Sequence, residues 1–193
     1  MSDVIQKKRI ITIAGRPGSG KSTASKAIAE YLGFEHYSSG DFFRAIGRER
    51  GIDVTQTNQA ATSDAEIDRL VDERQTEMGR TQDRVVIDGR MSWHFVPQSF
   101  KVYLDLDLEV AARRILANMD PVRKAHEHVP DDPKQYAEAL RHRLSLERAR
   151  YDSKYGVDIS DPQNFDLIVD TGAINPQQVM DTILAAYNKW LSA

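Results

Sequence analysis

Short apolar runs alternate along this chain with longer amphipathic stretches, and the two periods separate strands from helices. Arg9-Ile10-Ile11-Thr12-Ile13-Ala14 is rich in β-branched residues and predicts a buried strand, while residues 23–32 carry Ala27, Ile28, Tyr31 and Leu32 at helical spacing. Gly33-Phe34-Glu35-His36-Tyr37-Ser38 predicts a short second strand, after which Ser39 is placed to cap a helix beginning near Asp41. A polar stretch over 51–63 interrupts the pattern before Ile67, Leu70, Val71 and Met78 mark another helix. Arg84-Val85-Val86-Ile87-Asp88-Gly89 predicts a central strand that ends in an acid and a glycine. Phe100-Lys101-Val102-Tyr103-Leu104-Asp105 predicts a fourth strand, followed by a helix with Leu108, Val110, Ala111, Ile115 and Leu116. Residues 118–133, with Pro121, Pro130 and Pro133, have the composition of a loop. Residues 136–151 predict a long, highly charged helix, and Phe165-Asp166-Leu167-Ile168-Val169-Asp170 a last strand. Pro176 opens a terminal helix whose apolar face includes Val179, Ile183, Leu184 and Tyr187. Five strands alternating with helices predict an α/β fold, a parallel sheet with helices on both faces.

A chain of 193 residues is long enough for one substantial core, so residues 1–193 are expected to form a single domain with small inserts. Its 40% hydrophobic and 28% charged content is ordinary for a globular protein. The formal charge of −3 argues against a general surface for nucleic-acid polymers but leaves room for a local basic cleft. With no cysteine, disulfides and thiolate metal sites are excluded. Residues 1–8 are polar and no stretch approaches a membrane span, so the expectation is a cytoplasmic protein without membrane contact.

The chemistry begins where the first strand ends. Gly15-Arg16-Pro17-Gly18-Ser19-Gly20-Lys21-Ser22 spells G-x-x-x-x-G-K-S between strand and helix, the phosphate-binding loop of P-loop NTPases. Glycines let the backbone curl around an anion with its N–H groups inward, and the following helix presents its positive dipole end to the same phosphates. Gly15 to Thr23 is thus the expected ATP-binding segment, with Lys21 reaching the β- and γ-phosphates and Ser22 on a bridging Mg²⁺. In open α/β sheets ligands lie beyond the carboxyl ends of strands, which draws attention to Ser39 and Arg44 after the second strand and Arg90 after the third. Asp88 ends an apolar run as a Walker B acid does, which predicts a role in positioning the Mg²⁺ hydration shell; the structural alternative is a turn cap.

These motifs, taken together, resemble the cytidylate kinases of the nucleoside monophosphate kinase group, in the short form without a large insert. The resemblance covers nearly the whole chain. It rests on Gly15 to Ser22, Ser39-Gly40-Asp41-Phe42-Phe43-Arg44, Asp88-Gly89-Arg90 and Leu108-Glu109-Val110 with Arg114-Ile115. It extends through Arg143, Glu147 and Arg150-Tyr151 to Tyr155-Gly156-Val157-Asp158. The resemblance implies a monophosphate-binding region over about 34–80 and a mobile lid over about 118–133. It implies that Arg44, Arg90, Arg143 and Arg150 gather round the acceptor phosphate, with Ser39 and Glu147 near the nucleobase. Guanidinium forks suit phosphate oxygens, and a carboxylate can accept from an exocyclic amino group such as that of cytosine. Arg143, Glu147 and Arg150 share one helical face, where a solvated ladder of salt bridges is the other reading. The resemblance further implies that Arg114 and Arg123 stabilise the transferring phosphoryl group, although Ala111 stands where the family often has another arginine.

The implied reaction is transfer of the γ-phosphoryl group of ATP, with Mg²⁺, to CMP or dCMP, by a monomer that needs no covalent intermediate. Other small acceptors, UMP and AMP among them, fit the same fold. A non-catalytic nucleotide-binding module is the reading from another class, but the chain has neither an N-K-x-D nor a D-x-x-G motif. His126 and His128 form an H-x-H pair, read as exposed lid residues rather than metal ligands, and Trp93, His94 and Phe95 as core or as neighbours of the base.

Overall fold

The computed structural model describes residues 8–49, 65–120 and 129–193, apart from the side chains at 43, 44, 47, 65 and 67. A parallel sheet of five strands has the order β2-β3-β1-β4-β5. The strands are β1 (Ile10–Gly15), β2 (Glu35–Ser38), β3 (Val85–Asp88), β4 (Phe100–Asp105) and β5 (Leu167–Asp170). The helices, in chain order, are α1 (Lys21–Leu32), α2 (Ser39–Glu49), α3 (Ala65–Thr81), α4 (Ser92–Phe95), α5 (Leu108–Asn118), α6 (Pro133–Tyr155) and α7 (Pro176–Ser192). The predicted α/β alternation is therefore present, with all five strands where the apolar runs place them.

β1 is the middle strand, hydrogen-bonded to β3 with Ile13 opposite Asp88 and to β4 with Gly15 opposite Leu104. A middle strand covered on both faces must be apolar on both, and Ile10, Ile11 and Ile13 are fully buried. Ile11 and Ile13 look toward α1 and α7, packing with Ile28, Val102, Val179 and Ile183. Ile10 looks the other way, with Val85 and Ile87, toward Phe42 of α2 and Val71 and Met78 of α3. Each buried isoleucine is worth about 1.5–3 kcal/mol of transfer free energy, which sets β1 as the firmest part of the scaffold. The loop carrying the phosphate motif leaves from the end of this strand.

Three local features differ from the sequence expectation. Helix α2 begins at Ser39 itself, and Ser38 is the cap: its Oγ accepts from the Asp41 N–H at 3.0 Å while the Asp41 carboxylate accepts from the Ser38 N–H at 3.1 Å. The charged helix is longer than its charge pattern suggested, because Asp132 caps it through Lys134 and Gln135 N–H, Pro133 opens it and Gly156 (φ 66°) closes it. The single turn α4 had no periodic signal; it is too short to show one.

Candidate active site

Backbone geometry explains the glycines of the phosphate loop. A Cβ at Gly15 would lie 2.3 Å from the Leu104 carbonyl oxygen on neighbouring β4, and Gly20, at φ 86°, turns the chain into α1. Lys21 folds back over this loop, donating to the Gly15 and Arg16 carbonyls at 2.9 Å each. Burial, together with the nearby Arg90 and Arg143 guanidinium groups, pulls the Lys21 ammonium down to about 8, against the opposing pull of Asp88. Ser19, only 3% exposed, has a side-chain oxygen without a hydrogen-bond partner among the described residues. A hidden hydroxyl of this kind fits an oxygen-rich anion in the loop. The Arg16 side chain turns away from the loop: it pairs with Asp105 at 2.8 Å and donates to the Leu106 carbonyl at 3.2 Å.

Asp88, at the end of β3, is buried and accepts from Ser22 Oγ at 3.2 Å, joining the two residues expected near Mg²⁺. Its other oxygen lies 2.6 Å from His36 Nε2. The carboxylate therefore does more than cap a turn. Beyond it, a Cβ at Gly89 would crowd Ser39 Oγ at 3.0 Å, so Ser39 sits against the backbone that leads to Arg90.

Arg90 and Arg143 converge on Glu147. The Glu147 carboxylate pairs with Arg90 and, at 3.2 Å, with Arg143 one turn earlier on α6. The i,i+4 bridge of the ladder reading is present, with Arg143 58% exposed, but Glu147, at 19% side-chain exposure, is turned inward and meets Arg90 as well. Arg150, three residues after Glu147 and so on nearly the same side of α6, reaches Asp68 on α3, as does Lys154 at 3.1 Å. Tyr155 donates to Asp72 at 2.6 Å on the same helix. Burial raises the Asp72 carboxyl above the usual range, against the lowering effect of that hydrogen bond. Helix α2 carries Arg44, but its side chain lies outside the described residues, as do Arg123, His126 and His128 altogether.

Among the described residues, two hollows flank the phosphate loop. One, of about 820 Å³, has Gly18, Gly20, Thr23, Arg114, Asn118 and Pro176 on its walls. There Arg114 donates to the Thr171 and Gly172 carbonyls at 2.8 and 3.3 Å. The other, of about 390 Å³, lies between Gly15 and Arg16 on one side and Arg90, Tyr103, Glu147 and Arg148 on the other. The aromatic residues after Arg90 belong to the packing beneath this hollow: Trp93 is buried against Phe165 and donates through Nε1 to the Arg90 carbonyl at 3.0 Å.

Sequence reasoning missed His36 and Asp68. Both are contacts between residues far apart in the chain, 52 and 82 positions from their partners Asp88 and Arg150, and neither belongs to a motif. No helix among the described residues is long and apolar enough to cross a membrane, and none of their His, Asp and Glu side chains cluster in threes that could hold a metal ion by themselves.

Known proteins share the sequence pattern and the fold. Residues 11–141 match the family described as an AAA domain. A shikimate kinase structure from Bacteroides thetaiotaomicron shares the fold, with a TM-score of 0.60 at 14% identity over 96% of this chain and 99% of that one. A cytidylate kinase of Natronomonas pharaonis is 34% identical over 94% of this chain and 90% of its own length. A cytidylate kinase of Archaeoglobus fulgidus is 36% identical over 91% of this chain and 93% of its own length. The chain is therefore a kinase on the P-loop fold and belongs to the cytidylate kinase family.

Proposed function

We propose that this protein transfers the γ-phosphoryl group of ATP to CMP or dCMP. The observation that carries the reading is the placement of Arg90 and Glu147 on a hollow that opens against Gly15 and Arg16. A donor phosphate chain in the loop and a monophosphate in that hollow would meet at Lys21. The larger hollow, with Ile115 and Val179 as apolar walls, suits the donor's base and ribose.

Each residue has a task in this mechanism. Backbone N–H groups of the loop and the N-terminus of α1 hold the donor phosphates. Lys21 leaves the Gly15 and Arg16 carbonyls and moves its charge onto the β- and γ-phosphates. Arg90, Arg143, Arg150 and Arg44 orient the acceptor phosphate, whose oxygen is already an anion and needs no general base. Glu147 accepts from the amino edge of the base and Ser39 lies beside it. Arg114, and Arg123 from the lid, add positive charge at the transferring group. The lid that the resemblance implies over 118–133, of which 121–128 lie outside the described residues, would exclude water as a competing acceptor.

Mg²⁺ fits the Ser22 and Asp88 pair, two hard oxygen groups 3.2 Å apart beside a loop with a hidden serine hydroxyl. When bound with ATP it neutralises charge on the phosphates. The test is ADP production from ATP and Mg²⁺ with CMP, dCMP, UMP and AMP in turn. Turnover is expected to be fastest with the cytosine nucleotides; equal rates with all four, or ADP release without any acceptor, would refute the specificity or the transfer.

A further inference from the structure

Asp88 is gripped at both oxygens. Oδ2 accepts from the Ser22 hydroxyl at 3.2 Å, and Oδ1 lies 2.6 Å from His36 Nε2. An ionised carboxylate only accepts, so the imidazole donates. The side chains are 17% and 8% exposed at His36 and Asp88, so water competes little for this bond. The imidazole is not on a loop: His36 belongs to β2, which pairs with β3 through Tyr37 opposite Ile87 and Ser38 opposite Asp88. The sheet ladder thus fixes the donor relative to the acid.

A short carboxylate at a strand end has two rotatable bonds, and several rotamers would point Oδ2 away from Ser22. Only with Oδ1 tied to His36 is the face shared by Oδ2 and Ser22 Oγ held toward the phosphate loop. We propose that His36 is a positioning residue for the divalent cation of the donor complex, setting the carboxylate that, with Ser22, receives the ion's ligand shell. The inference rests on the reading of Ser22 and Asp88 as the Mg²⁺ edge of an ATP site. His36 touches neither nucleotide nor metal; it acts through Asp88, as outer-shell partners of metal-binding carboxylates do.

The experiment measures ADP binding by calorimetry, first in EDTA and then as Mg²⁺ is titrated into the ADP complex, for the wild type and three variants. His36→Leu, which removes the donor, should weaken apparent Mg²⁺ affinity by about 10- to 100-fold and leave binding in EDTA unchanged. His36→Asn, polar but too short to reach Oδ1, should give the same loss, so the result does not hinge on a leucine being tolerated. His36→Gln, whose amide can still donate at that distance, should stay close to wild type. Wild-type Mg²⁺ affinity in His36→Leu and His36→Asn would overturn the proposal. So would an equal loss of binding in EDTA, which would mark a purely structural histidine. The acceptor panel fails separately: if no monophosphate is phosphorylated, the functional reading falls while the Mg²⁺ titration still decides the role of His36.

Discussion

Arg90, from the turn after β3, and Glu147, from the middle of α6, form an ion pair that joins the sheet to the long helix. The pair is largely enclosed, with side-chain exposures of 26% and 19%. Arg143 joins it from the exposed side of the same helix. Two cations facing one carboxylate leave a positive surplus next to a loop built for phosphate.

Glu147→Gln keeps the shape and removes the charge. The ratio of kcat/KM for CMP over UMP should fall about 10- to 100-fold, the worth of a hydrogen bond to a charged group. Steady-state kinetics with both acceptors checks this, and an unchanged ratio would return Glu147 to a structural role.

Arg90→Ala should raise the acceptor KM about 100-fold while ATP affinity stays within a factor of about two, because the guanidinium lines the smaller hollow and not the larger one. Arg143→Ala should act in the same direction but more weakly, since its side chain is more than half exposed. Isothermal titration with ATP and acceptor kinetics separate the two effects.

Lys21→Met should lower kcat about 10²- to 10³-fold with the fold intact, since it removes a cation aimed at charge that develops during transfer. Circular dichroism and single-turnover rates are the measurements.

The wild-type lysine also predicts a proton linkage. Burial lowers Lys21 to about 8 in the free protein, and bound phosphates must raise it again. The protonated form binds anions, so the lysine's contribution to ADP affinity should be complete below about pH 7 and be lost as pH rises through about 8. Calorimetry at pH 8 in buffers of different ionisation enthalpy should show uptake of about half a proton on binding.

Asp68 ties up Arg150 and Lys154 across from α3. Asp68→Asn should free Arg150 and lower the acceptor KM about two- to fivefold at low salt with kcat unchanged, the scale of a partly exposed ion pair. The gain should shrink as ionic strength rises.

The scaffold was legible in the sequence wherever its signal was contiguous. β1 announces itself through successive β-branched residues because both its faces are covered, and the loop after it through glycines whose positions the backbone dictates. That Arg90 and Glu147 lie near one another was legible only through resemblance, since they are 57 positions apart by their numbers and nothing local links them. His36 was not legible at all: on an edge strand, a histidine next to a glutamate and a tyrosine reads as surface, and only strand pairing brings it to Asp88. The cap of α2 was misplaced by one residue because Ser38 and Ser39 are adjacent and only the Asp41 contact distinguishes them.

The two tryptophans of the chain divide between the ends of the strands. Trp93 rests on the Arg90 carbonyl at the ligand-facing end, whereas Trp190 packs against Phe100, the first residue of β4, and Tyr187 at the other. Emission from Trp93 should therefore report on the turn that carries Arg90, while emission from Trp190 should follow the packing of the opposite end of the sheet. Replacing either by phenylalanine would leave a single indole, so that each end of the sheet could be followed by itself with no dye attached.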